Sequence, residues 1–289
     1  LRTGTAKIHA SQISLGQETN TSGTGTPSGT LVLGHGALTV TGNVNENHAS
    51  GGAGVSSLTV LGNQTFTVGG TVAPDTFFIG LDGVAGSVTF TGVTAAIGEP
   101  GNVTDLLVGR RESDTSTTFQ GTLDLSAVAT FQGRLDEFSL GTSNPAGVGS
   151  AQGQPRGLVT LAGENTIDAR LIQIGDSRNV GLGGFNNRLL LGTTNAITVD
   201  TMVVGGDKST GTIGGSLTFA SGSGTLDLAG SSGPRTDLYV GHQEVGTGGG
   251  ARGVMDLAGG TFNAALDEWV IGSKPNSASG ATEGVVNLG

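Results

Sequence analysis

The constraint that narrows the fold most is a glycine that closes an aliphatic phrase at nearly regular intervals. It ends FFIG at Gly80, LLVG at Gly109, FSLG at Gly141, IQIG at Gly175, MVVG at Gly205, LYVG at Gly241 and WVIG at Gly272. Successive glycines lie 29, 32, 34, 30, 36 and 31 residues apart. Two further patterns precede each phrase in fixed order. One begins with glycine and is rich in Thr and Leu, as in GTLDL (121–125), GLVTL (157–161), GSLTF (215–219) and GVMDL (253–257). The other is shorter, as in TFTV (65–68), TIDA (166–169) and TFNA (261–264). A period that drifts within about 20–50 residues marks a solenoid, a propeller or an array.

Each pattern alternates apolar and polar residues over about 4–6 positions, the signature of a half-buried strand. No one of them buries its apolar side alone, but stacked on its copy in the next repeat each does. A propeller blade needs four antiparallel strands and about 40 residues. Three strands in about 30 residues, with few tight hairpin signals, fit a solenoid better. The expected fold is all-β: a right-handed parallel β-solenoid with three short strands per coil and about nine coils of roughly 30 residues. It forms one domain over 1–289, uncapped at both ends. Alternation predicts one inward column through Leu123 and Leu125, Leu158 and Leu161, Leu189 and Leu191, Leu217 and Phe219, and Met255 or Leu257. A second passes through Phe66, Ile167, Ile197 and Phe262, and a third through Leu140, Ile174, Val204, Val240 and Ile271.

Composition excludes several alternatives. Glycine is the commonest residue at 55, but it has no three-residue period and prolines number 7, so a collagen helix is ruled out. Charged residues make up 12 %, about half the usual share, which argues against helices with charged outer faces. The net charge of −10 repels phosphate backbones, so no nucleic acid partner is expected. No apolar run of about 18 residues spans a membrane as a helix. The chain has no cysteine and therefore no disulfide, thiolate metal site or cysteine nucleophile.

The phrases GSLTFASG (215–222), GVMDLAGGTFNA (253–264) and DLYVG (237–241) resemble the β-strand repeats of bacterial autotransporter passengers and other large secreted repeat proteins. The resemblance extends from about Gly29 to the end. It implies export, an extracellular or cell-surface location, and a structural or adhesive role.

The two ends read as complementary. VVNLG (285–289) followed by LRTGTAKIHASQISLG (1–16) parallels VMDLAGGTFNAALDEWVIG (254–272). The axial contact residues expected from this are Ala6, Ile8, Ala10, Ile13 and Leu15 at one end and Val285, Val286 and Leu288 at the other. An open solenoid end exposes strand edges that invite pairing. The partner expected is the chain itself, in a head-to-tail homopolymer, and the function expected is that of an extracellular filament or surface-rod subunit. The alternative is a surface adhesin or autotransporter passenger segment that binds a host or neighbouring-cell partner, or glycans, through a ridge of loops. Those loops follow the closing glycines and carry Arg110, Arg111, Arg156, Arg178, Lys208, Arg252 and Lys274 as candidate lateral contacts.

Chemistry is sparse. An acidic residue recurs ahead of the third strand, and Asp105, Asp136, Asp237 and Asp267 are candidate Ca2+ ligands if stacked. The coil between Asp136 and Asp200 carries Arg170 at that place, and Asp is also a common corner residue that satisfies turn N–H groups. No cofactor is expected. Asp124, Asp227 and Asp256 occupy similar positions, but that row also accepts Thr59, Thr89, Thr160, Thr218 and Asn287, as a general polar face does. The histidines show no metal or triad spacing, and no enzymatic activity is expected. Trp269 reads as a packed wall residue and Tyr239 as outward-facing.

Overall fold

The computed structural model describes residues 75–289 except 84, 99–100, 102, 113–117, 144–153, 178–186, 208–213, 245–249 and 275–279. Before residue 75 it describes the strands Ala6–Ala10, Ile13–Leu15, Ser28–Leu33, Gly36–Val40, Val44–Glu46, Val55–Val60 and Thr65–Val68. Among the described residues there are strands and turns but no helix.

Every described strand pairing is parallel, and each strand pairs with its counterpart one repeat away. This is a parallel β-solenoid. Pro155–Thr160, Asn187–Leu191, Gly215–Phe219, Arg252–Asp256 and Glu283–Asn287 follow one another on the first face. Residues 164–169 and 194–199, Thr225–Ala229 and Thr261–Ala264 form the second. Residues 171–177 and 201–207, Thr236–His242 and Leu266–Ser273 form the third. The single strand Phe119–Ser143 runs round all three faces.

Five coils are described without a break: 118–143, 154–177, 187–207, 214–244 and 250–274. That is about five turns, fewer than the nine the repeat spacing predicts. Upstream strands pair in the same order, but corners between them lie outside the described residues.

The closing glycines are the corners. All seven adopt the left-handed backbone conformation; Gly205, for example, has φ +70°. A β-carbon there would lie 1.9 Å from the carbonyl oxygen of Arg252, which forces the position to be glycine on two counts. The glycine that opens the first-face strand meets the same corner from the other side. A β-carbon on Gly253 would lie 2.0 Å from the oxygen of Val204 and 2.5 Å from the amide nitrogen of Gly241, so it wedges against the corner backbone of the two preceding coils. Gly121, Gly157, Gly215 and Gly284 are confined in the same way. Asn187 stands in this row instead of glycine, paired with Gly215. Its buried amide accepts from the N–H of Gly157 at 2.8 Å and donates to the oxygen of Gly214 at 2.9 Å.

That wedge sets the alternation. Counting from Gly121, Gly215 and Gly253, the second and fourth residues point inward: Leu123 and Leu125, Leu217 and Phe219, Met255 and Leu257. From Gly157 the same count selects Val159 and Leu161. Leu158, expected inside, lies in register with Thr122 and Arg188 on the outward row. The third-face column Leu140, Ile174, Val204, Val240 and Ile271 is continuous as expected and extends upward through Val108 and Ile79.

The second face differs from expectation. Ile167 and Ile197 continue into Leu228 and Ala264, whereas Phe262 belongs to the adjacent column with Leu226, Asn195, Asn165 and Phe131. The side chain of Phe66 is outside the described residues. The two asparagines in this column are buried and form a ladder along the axis. Asn165 Nδ2 donates to Asn195 Oδ1 at 2.8 Å, and Asn195 Nδ2 donates to the oxygen of Thr225 at 2.9 Å. Each also satisfies the corner behind it, Asn195 accepting from the N–H of Gly192 at 3.0 Å and donating to its oxygen at 2.9 Å. Buried amides are stable only when paired in this way.

Two stability predictions follow from these contacts. Gly205→Ala adds about 1–3 kcal/mol of backbone strain to a backbone overlap, so its urea midpoint should fall sharply. Gly233→Ala, where nothing lies within 4 Å, should stay within about 0.5 kcal/mol of the parent. Asn195→Ala strands buried donors and acceptors on two coils and should cost about 2 kcal/mol or more by the same titration.

Candidate functional sites on the outer faces and at the end of the stack

Basic residues after the closing glycines do not form one loop ridge. Strands continue past the glycine, so Arg110 and Arg111 are strand residues in register with Thr142 and Ser143. Arg111 is fully buried. Arg110 is 11 % exposed and donates to Glu112 at 2.8 Å, to Glu137 at 3.0 Å and to Thr142 at 2.8 Å. Neither is available as a lateral contact. Arg156 lies on the first-face strand beside Gln120, and burial pushes its guanidinium pKa down. Arg252 pairs with Glu283 across coils at 2.8 Å, and Lys274 donates to the oxygen of Gly280 at 3.1 Å. Arg178 and Lys208 lie outside the described residues.

The recurring acid splits into two arrangements. Asp105 faces the pair Asp136–Glu137, where the register slips by one residue. Asp267–Glu268 marks a second slip opposite Asp237. The double-acid coils therefore carry a β-bulge, which re-aims side chains rather than stacking them. Asp136, Arg170 and Asp200 do stand in one row, between the pairs Leu135, Ala169, Val199 and Glu137, Leu171, Thr201. Asp237 pairs with Thr201, one position further on, and so leaves that row. The four calcium candidates thus do not form one ladder.

Other groups neutralise or satisfy Asp136 and Asp200. Arg170 grips Asp136 with two hydrogen bonds of 2.8 and 3.0 Å. Asp200 accepts from the N–H groups of Ser231 at 3.1 Å and Ser232 at 2.6 Å and from the Ser232 hydroxyl at 2.8 Å. Those bonds, led by the Ser232 amide, hold its pKa below the usual carboxylate value. Among the described residues no three His, Asp or Glu side chains group as a metal site.

Asp105 is the exception. It accepts one backbone hydrogen bond, from the Glu137 N–H at 3.1 Å. Burial, followed by the neighbouring Glu137 and Asp136 carboxylates, pushes its pKa from 3.8 up to about 6. Arg170 opposes this only weakly.

The other aspartates of the polar row act locally. Asp124 and Asp256 share the first-face row with Thr89, Thr160, Leu190, Thr218 and Asn287. Asp124 accepts from the N–H of Ser126 at 2.9 Å, and Asp256 and Asn287 accept from the N–H two residues on, both at 3.3 Å. Asp227 is not in this row. It lies on the second face, where Asn263 donates to it at 2.7 Å. Tyr239 faces outward as expected, donating to Glu268 at 2.7 Å, with its ring tilted against that of His242 at 4.7 Å between centroids.

Four of the exposed large hydrophobic residues among those described, Trp269, Ile271, Val285 and Leu288, lie in or just after the last strands. Leu238 and Val240 are fully buried, yet Trp269 and Ile271, one coil further in the same columns, are 42 % and 46 % exposed. Trp269 keeps its wall position, edge-on to Phe262 at 6.5 Å. Leu288 is exposed at the end of the first-face strand, and Val286 is partly buried against the core. Val285 lies in register with Val254, on the outward row, so it is not a column residue. The strands carrying Ala6, Ile8, Ala10, Ile13 and Leu15 are paired toward the interior of the stack, to Gly36–Val40 and Val44–Glu46.

The buried amides Asn165, Asn187 and Asn195 were missed as structural residues by the alternation pattern. Aligning ENTIDA (164–169) with TNAITV (194–199) would have found two of them, because asparagine recurs two places before the buried isoleucine. No family model, curated protein or solved structure matches this chain. No helix among the described residues is long and apolar enough to cross a membrane.

Asp105 makes a pH prediction. Its folded pKa lies above the unfolded value, so its contribution to stability is fully present below about pH 4 and is lost as pH rises through about 6. Asp105→Asn keeps an acceptor for the Glu137 N–H without the charge. The variant should therefore be more stable than the parent at pH 7 and approach it near pH 4, as measured by urea unfolding at both values.

Proposed function

We propose that this chain is a structural rod subunit whose coils extend axially into those of a second copy. The reading rests on one observation: every described strand pairing is parallel, coil on coil along one axis, with dry aliphatic columns running through the stack. Stacking of this kind has no fixed number of coils, and strand edges favour templated addition of another strand. Pairing a head to a different tail is a heterologous contact that does not close, and repetition gives a filament.

The reading includes a right-handed coil, which the handedness of parallel crossovers favours. It also includes secretion and an extracellular or cell-surface location, in keeping with the passenger-like phrases. Local capping and ion pairing engage Asp124, Asp136, Asp200 and Asp256, which suits a wall more than a catalytic cleft.

Electron microscopy of the purified chain tests this, beside a matched sample that lacks residues 284–289. Long uniform fibres from the first and short particles from the second are expected. Short monodisperse particles from both would overturn the filament reading.

A further inference from the structure

We infer that residues 230–235 are a strap that couples three successive coils, 154–177, 187–207 and 214–244, so that they open and close as one block.

The strap is an insertion at one corner. In the two coils before it the chain passes from the second face to the third through a single residue, Arg170 between Ala169 and Leu171 and Asp200 between Val199 and Thr201. In coil 214–244 the register partners of Thr198 and Thr201 are Ala229 and Asp237, so seven residues stand where coil 187–207 has two. The insertion is tightly folded. A β-carbon on Gly230 would lie 2.1 Å from the oxygen of Arg235 and 2.5 Å from that of Gly233, so the two feet of the loop close on each other. At its exit the buried Thr236 donates its hydroxyl to the oxygen of Val199 in the coil before.

The loop lies back along the axis instead of standing away from it. The N–H groups of Ser231 and Ser232 and the Ser232 hydroxyl donate to Asp200 Oδ1, one coil back, at 3.1, 2.6 and 2.8 Å. The Ser231 hydroxyl donates to Asp168 Oδ1, two coils back and 63 residues away. Thr198, on the coil between, shares that oxygen and donates to it at 2.9 Å. The other long corner of the same coil is a contrast. There the Ser221 hydroxyl donates at 2.8 Å to the oxygen of Ser223, within its own loop.

Contacts between neighbouring coils, such as Asn165 to Asn195 or Arg170 to Asp136, let a solenoid lose its coils one at a time. Ser231 adds a bond between coils that are not neighbours. Its anchor on Asp168 and the anchor on Asp200 sit on adjacent serines of one short loop. The entropy lost in ordering that loop is offset by both anchors together, so losing either one loosens the other. Opening any of the three coils therefore releases the strap and weakens the remaining two. Elsewhere in the stack the coils still part singly.

Hydrogen exchange read by mass spectrometry tests this, under conditions where each opening leads to exchange. Ser231→Ala, at an exposed position, cuts the tie to Asp168 and keeps the backbone bonds to Asp200. Ser221→Ala in the self-contained loop is the control. In the parent, peptides covering 164–169, 194–199 and 225–229 should open at one rate, and a peptide covering 122–128 in coil 118–143 at another. In Ser231→Ala the rate for 164–169 should part from the other two. Residues 225–229 should then open about three- to tenfold faster, the range for one lost hydrogen bond. Ser221→Ala should match the parent. Three different rates in the parent overturn the inference, and so does one rate that coil 118–143 shares. A Ser231→Ala pattern no different from that of Ser221→Ala overturns it as well.

Discussion

The fold depends on a steric fact at one corner: backbone meets backbone with no room for a side chain. A first-face glycine such as Gly253 sits against Val204 and Gly241 of the two coils before it, while Gly205 turns away in the left-handed conformation. The contact has two effects. It lets successive coils stack at strand spacing, and it fixes which residues after the glycine face inward. The dry columns through Leu217 and Met255, and through Val204 and Val240, inherit their register from it. Asn187 shows the same rule by exception. It occupies the glycine row, and its side chain satisfies the backbone of the coils on either side, Gly157 and Gly214.

Polar groups in this solenoid follow the axis as faithfully as the apolar ones. Asn165 bonds to Asn195, Arg170 bridges to Asp136, Arg252 pairs with Glu283 and Arg110 reaches Glu137 one coil away. Each pair adds to the contact between neighbouring coils, so stability is built coil upon coil. The exposed pairs contribute little individually, whereas the buried amides are costly to break. Asp105 works against this arrangement, because its nearest neighbours are carboxylates and its closest bond is to a backbone amide.

The architecture was legible because its two periods are written in different residues. Alternation gave the strands, and the closing glycines gave the coil. The third-face column was read correctly from Leu140 to Ile271, since the glycine that ends each phrase anchors the count. On the first face the count was started from leucines, and GLVTL misled it: Leu158 looks like the inward residue, but Gly157 makes Val159 so. The bulges at Asp136–Glu137 and Asp267–Glu268 were visible as doubled acids but read as a ligand row, because a one-residue slip in pairing leaves no mark in composition. Arg110 and Arg111 were misplaced for a related reason. A strand that runs on past its corner draws charged residues into the wall, and only the partners Glu137 and Thr142 reveal it.

The ladder also has a mechanical consequence. Its hydrogen bonds lie along the long axis, so a pull on the two ends loads them in line. Strands so loaded separate one row after another, unlike strands sheared along their length. Each coil released would pay out roughly 100 Å of extended chain, at about 3.3–3.6 Å per residue over about 30 residues. A solenoid of this kind takes up extension in many small steps, and each coil lost leaves a new end much like the one before it.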